Sequence, residues 1–212
     1  MRFLCVSDIH GHADALRLVL DVARAHSGWD KLIVCGDLLF PGPKPLETWK
    51  LLLDEQALVT QGLLDRAIAT LEPESLTART DAEQARLDRL LELHEQLGEL
   101  IVMRLGKLPE TARLPLEDDS EMLILHGSPM DRTECFSPEL SEDEMVALIG
   151  DETARLIVCG GSHVAFDWAV EGTRVVGVGS VGEAPGGGYA HYTLIETSSF
   201  GVTVEQHTVE LE

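Results

Sequence analysis

With 37 acidic and 16 basic residues among 212, the chain carries a formal charge of −21 at pH 7, so no basic surplus exists to follow the phosphate backbone of a long nucleic acid. No run of about 20 uninterrupted apolar residues is present to span a bilayer. The length suffices to bury a full core, and one domain over residues 1–212 is expected.

Phe3-Leu4-Cys5-Val6 reads as a short buried strand. Behind Met1 this apolar segment is too short, and too soon followed by polar residues, for a secretory signal, so a cytoplasmic location is expected. Leu16, Val19, Leu20 and Ala23 recur at i, i+3, i+4 and i+7, which predicts a helix ending near Gly28. Residues 32–35 form a second strand. Pro41, Pro43 and Pro45 interrupt regular structure before a helix over 46–55 and a strand at about 57–61.

Beyond Gly62 strand character is absent. Thr80-Asp81-Ala82-Glu83 fits a capping box that opens a helix with Leu87, Leu90, Leu91, His94 and Leu97 on one face, His94 as a packing residue. This segment, at about 72–100, reads as a helical insertion. From Met122 onward the pattern is of strands, at 122–125, 156–159, 174–178, 191–196 and 202–209, the last three joined by Gly-rich turns. His191 and His207 lie inside these runs and are read as structural. Alternating strands and helices followed by consecutive strands predict an α/β sandwich with mixed sheets.

The acidic runs around 72–99, 117–121 and 139–144 are read as solvated faces. A phosphorylated substrate would meet their repulsion and need local positive charge, of which a bound metal is the obvious source. Cys5, Cys35 and Cys159 sit in strand-like runs and Cys135 in a loop, with no C-x-x-C spacing, so reduced thiols are expected.

Four short motifs stand where apolar runs end: Asp8-Ile9-His10-Gly11, Gly36-Asp37, His126-Gly127 and Gly160-Gly161-Ser162-His163. Oxygen and imidazole donors arriving from separate strand ends can converge on one divalent cation. Strand ends are also where an α/β fold places its site.

In this order, with Gly179-Ser180-Val181-Gly182 following, the motifs resemble the calcineurin-like metallophosphoesterases, specifically the small bacterial and archaeal phosphodiesterase branch. The resemblance spans Met1 to about Glu196. It implies a four-layer α/β/β/α sandwich and two metals. The first would be held by Asp8, His10, Asp37 and His163, all present; two carboxylates and two imidazoles suit Mn²⁺, Fe²⁺ or Zn²⁺ better than Mg²⁺. The second would share Asp37 and use His126, but Leu63-Leu64 replaces the Asn-His of the family's Gly-Asn-His-Asp motif and Gly161 replaces a histidine. One tight ion is therefore expected, with the second site weak or absent. Gln61, Asp65, His12, Asp131 and Glu134 are the substitute ligands nearest in sequence.

The resemblance further implies a metal-dependent phosphoesterase acting on a small phosphorylated substrate, a diester or monoester, by attack of metal-bound hydroxide. Asp37 and His126 are its candidate catalytic residues, and Gly179 and Ser180 could offer backbone N–H groups to a phosphate. Without the family histidine at Leu64, hydrolysis is expected to be slow or specialised. The alternative is a non-catalytic metal-binding or scaffold member of the same fold. Segments 41–45 and 72–99 are expected to shape the rim or a homo-oligomer contact.

Overall fold

The computed structural model describes residues 1–72 and 78–211; the part of the expected insertion covering 73–77 lies outside the described residues. The first half runs β1 (Arg2–Val6), α1 (Ala13–His26), β2 (Lys31–Val34), α2 (Pro45–Asp54), β3 (Leu58–Val59), α3 (Leu63–Ala69) and α4 (Asp81–Leu105). The second runs β4 (Thr111–Pro115), β5 (Glu121–Leu125), α5 (Glu142–Ile149), β6 (Leu156–Cys159), β7 (Ala165–Val170), β8 (Thr173–Val178), β9 (Tyr189–Ser198) and β10 (Gly201–Glu210). They build two five-stranded mixed sheets, ordered β10-β9-β1-β2-β3 and β4-β5-β6-β8-β7.

Strand parity builds the layers, because successive side chains point to opposite faces of a sheet. Phe3, Cys5, Ile33 and Cys35 of the first sheet meet Met122, Ile124, Leu156 and Val158 of the second in a core between the sheets. Their neighbours Leu4, Val6, Leu32 and Val34 face the other way, onto α1 and the further helices of the first half. On the outside of the second sheet Leu123, Leu125, Ile157 and Cys159 pack with Met145 and Ile149 of α5. The result is the four-layer α/β/β/α sandwich. Such strands, covered on both faces, read as continuous apolar runs, which is why they stand out in the sequence.

Four elements do not stand out. β4 and β7 are sheet edges, where half the side chains meet water and Pro115 is tolerated. The acidic run at 139–144 is in part a helix start rather than a solvated face alone: Ser141 and Glu144 form a capping box, and Glu142, Asp143 and Glu144 occupy the first turn of α5, where carboxylates suit the helix dipole. α3 follows Gly62 without a recognisable apolar period. In α4 the buried positions are Leu93, Leu97 and Leu105, so the inward face is displaced from the one expected, and Leu87, Leu91 and His94 are half-buried at its margin.

The four cysteines are free, three of them buried. Among the described residues no helix is long and apolar enough to cross a membrane.

Candidate metal centre

Parallel strands of both sheets end on one rim, and the polar motifs follow them there. Asp8 and His10 come after β1, Asp37 after β2, His126 directly after β5, and His163 four residues beyond β6. Asp8, His10, Asp37 and His163 have φ values of 51°, 50°, 52° and 61°, a left-handed region that costs a non-glycine residue about 1–3 kcal/mol. Only seven described non-glycine residues have positive φ. Strain is thus concentrated at the side chains that converge.

Backbone carbonyls orient the imidazoles. The Nδ1–H groups of His10, His126 and His163 donate to the carbonyls of Phe40 (2.6 Å), Cys35 (2.7 Å) and Glu183 (3.0 Å). A carbonyl can only accept, so each Nδ1 carries a proton and each Nε2 points inward. His10 Nε2 and His163 Nε2 face each other at 3.2 Å. Beside them the buried Asp8 Oδ1, 3.3 Å from His163 Nε2, has no hydrogen-bond partner. A divalent cation among these atoms would satisfy all three.

The electrostatics point the same way. The Asp8 carboxylate beside it holds the His163 imidazole above its ordinary pKa. Burial opposes charge on His126, but Asp37, 3.5 Å away, together with Asp8 and the Cys35 carbonyl, lifts it to about 9. Burial likewise opposes charge on Asp37, yet His126 and the Leu64 amide hold its carboxyl below the usual range. Two buried carboxylates demand positive charge, and without a cation the imidazoles take up protons to supply it.

One donor atom from each of Asp8, His10 and His163 lies within 4.8 Å of the others, and the same holds for Asp8, Asp37 and His126. Asp8 is common to these two sets and Asp37 belongs to the second. Asp37 Oδ1 accepts from the Leu64 N–H (2.8 Å), while Oδ2 faces His126.

Other candidates have different tasks. Asp65 is fully buried and accepts from the amides of Asp37 (2.9 Å), Leu38 (3.0 Å) and Gly62 (2.9 Å); it shapes the turn that carries Asp37 and gives nothing to the centre. Asp65→Ala would strand three amides and is expected to lower unfolding stability by about 3 kcal/mol and metal affinity about 10–100-fold, read by denaturant melts and metal titration. Gln61 donates to the Leu105 carbonyl, Asp131 caps its own turn through Thr133, His12 packs against the backbones of Gly42 and Gly182, and Glu134 is exposed.

Ser180 serves the fold rather than a ligand. It is fully buried, its N–H donates to His191 Nδ1 (3.3 Å) and its hydroxyl to the Asp8 carbonyl (2.8 Å), so no donor is left for a phosphate. Gly179, at φ 73°, packs against the His191 ring. Together they brace the Asp8 turn from behind. Sequence reasoning missed Glu183, whose Oε2 reaches within 3.7 Å of His10 Nε2 and whose carbonyl orients His163. Its signal was its place just past Gly179-Ser180-Val181-Gly182.

The calcineurin-like phosphoesterase superfamily domain matches residues 1–199. The chain belongs to that superfamily. Among solved structures, a hypothetical protein from Pyrococcus horikoshii OT3 matches with a TM-score of 0.84 at 20% identity, over 100% of this chain and 88% of that one. A metallophosphoesterase from Sphaerobacter thermophilus gives 0.76 at 22% identity over 100% and 89%. Vps29 from Entamoeba histolytica gives 0.56 at 14% identity over 100% of both chains. At these identities the likeness is one of fold. No curated protein matches the chain.

Leu63, Leu64 and Gly161 occupy the positions at which the resemblance leads one to expect Asn and His, and the structure shows how tightly this backbone is packed. A Cβ on Gly62 would fall 2.1 Å from Asp37 Oδ1, so the start of α3 presses its backbone, not a donor side chain, against the centre. At Gly161 φ is +79° and a Cβ would lie 2.2 Å from Cys135 Sγ. The space that a histidine at 161 would need is occupied by sulfur.

Proposed function

We propose that this superfamily member is a metal-dependent phosphoesterase hydrolysing small phosphodiesters or monoesters at the rim centre, with Asp8, His10 and His163 as the principal ligands and Asp37 and His126 beside them. The observation that carries this reading is the set of three imidazoles whose Nδ1–H groups donate to backbone carbonyls and so aim Nε2 inward, beside an unpartnered buried carboxylate oxygen. A pure scaffold has no use for so strained an arrangement. Mn²⁺, Fe²⁺ or Zn²⁺ suits the donors, and such an ion would lower the pKa of a water and polarise a phosphoryl oxygen. His10, His163 and Asp8 fix the position of that charge; Asp37 and His126 hold a proton-sharing pair next to it.

A cleft opens beside His126, lined by Gln61, Leu63, Ser128 and Arg132 among others. Arg132 is paired with Glu110 and offers a cation to a substrate phosphate on an otherwise acidic molecule. Arg132→Ala is expected to raise KM about 10-fold with kcat little changed; an equal fall in kcat would place Arg132 elsewhere than in ground-state binding. The reading makes the protein a cytoplasmic enzyme with reduced thiols and one tight ion at the centre, the Asp37–His126 side being weaker for want of ligands at 63 and 161.

The test is hydrolysis of a nitrophenyl phosphodiester with Mn²⁺, Fe²⁺, Zn²⁺ and Ni²⁺ in turn, with Asp37→Ala as control. Turnover that depends on metal and on Asp37 supports the enzyme. The occlusion of position 161 by Cys135 and the apolar Leu63-Leu64 pair favour a second reading, a non-catalytic metal-binding or scaffold module, and no turnover with any ion would select it.

A further inference from the structure

A second constellation lies at the opposite end of α1, which runs 14 residues, about 21 Å, away from the centre. His26 is the last residue of that helix, and Glu205 and His207 sit two apart on β10, on the same face. One donor atom from each lies within 4.8 Å of the other two. The His26 and His207 rings are 5.1 Å apart between centroids. His207 Nε2 is shut off from solvent, has no hydrogen-bond partner, and stands 3.5 Å from Glu205 Oε2.

We propose that His26, Glu205 and His207 form a transition-metal site of the Zn²⁺ class, independent of the rim centre, that fastens the end of α1 to the edge strand β10. Metal–nitrogen and metal–oxygen bonds of about 2.0–2.2 Å in a tetrahedron imply ligand–ligand edges of about 3.4 Å, close to the Glu205–His207 separation. The unpartnered Nε2 then has an electron-pair acceptor, and the neighbouring carboxylate a charge to balance. Tyr192, paired with His207 across β9 and β10, stacks on the imidazole at 4.8 Å and 16°, so the ring plane is already set. Arg2 is the nearby cation; its guanidinium is engaged by Glu196 and the Ser27 carbonyl, which limits its opposition to a bound ion. Two imidazoles and one carboxylate select Zn²⁺ and its neighbours over Mg²⁺ or Ca²⁺. Three protein ligands leave the fourth position to water.

The experiment is titration of Zn²⁺ into chelator-stripped full-length protein against a competing chromophoric chelator, for wild type, His26→Ala, His207→Ala and His163→Ala. His26→Ala and His207→Ala are each expected to bind about one Zn²⁺ per chain fewer than wild type and to lose part of the Zn²⁺-dependent rise in Tm. His163→Ala, altered only at the rim, is expected to retain that ion. Because His26 is exposed, its replacement leaves the fold intact even if removing the ring beneath Tyr192 does not. Equal Zn²⁺ uptake by wild type and His26→Ala would overturn the proposal.

Discussion

Asp8→Asn is expected to reduce metal-supported phosphodiester hydrolysis by about 10³-fold, since positioning a divalent ion at the reacting phosphate contributes several kcal/mol and each 1.4 kcal/mol is about a decade in rate. Asparagine is the informative replacement. It tolerates the left-handed backbone that Asp8 adopts at φ 51°, and its side-chain oxygen still accepts from the Gly161 N–H that Asp8 Oδ2 binds at 3.0 Å. The charge is lost and an NH2 replaces the inward Oδ1, so the variant should fold while binding the ion far more weakly. Rates and metal titrations on the folded variant check this; wild-type turnover in Asp8→Asn would remove Asp8 from the centre.

Leu64→His, alone or with Leu63→Asn, is expected to move activity in the other direction, by about 10²-fold in kcat, the lower end of what a positioned general acid contributes. The Leu64 N–H touches Asp37 Oδ1 at 2.8 Å, so the backbone at 64 lies beside the centre and a histidine there reaches the reacting region by turning out of the apolar packing. Leu64 is half-buried against the helical side of the first sheet, and exchanging it should cost about 1 kcal/mol, roughly half the contribution of a fully buried leucine. A gain in kcat with a new alkaline limb in the pH profile is the expected signature. Folded variants showing no gain would mean that the α3 start does not face the substrate.

The contrast between these two substitutions follows what was legible in the chain. Asp8, His10, Asp37, His126 and His163 could be read because each ends an apolar run, and doubly covered strands such as β1, β2, β5 and β6 are unmistakable as runs. That all five end at one rim was legible too. What could not be read depends on geometry without periodicity. The left-handed turns at Asp8, His10, Asp37 and His163 are invisible in residue type, since none of them is glycine.

Asp65 shows the same limit from another side. As an acidic residue near the degraded motif it resembled a substitute ligand; only the position of α3 shows that it is consumed by the amides of Asp37, Leu38 and Gly62. Ser180 lies in a Gly-rich turn of the kind that can cradle a phosphate, yet its donors are bound to His191 and Asp8. Cys135, far from position 161 in sequence, fills the space that a histidine at 161 would take. His207, read as structural, keeps a buried nitrogen without a partner. Each of these turns on contacts between segments distant along the chain, for which no local pattern exists.

Anomalous diffraction from crystals grown with Mn²⁺ tests the central claim most directly, because it locates the ion rather than counting it. The expected result is a strong peak within coordination distance of Asp8 Oδ1, His10 Nε2 and His163 Nε2, with a weaker peak or none on the Asp37–His126 side. Absence of a peak among Asp8, His10 and His163, in crystals that hold Mn²⁺ elsewhere, would contradict the account.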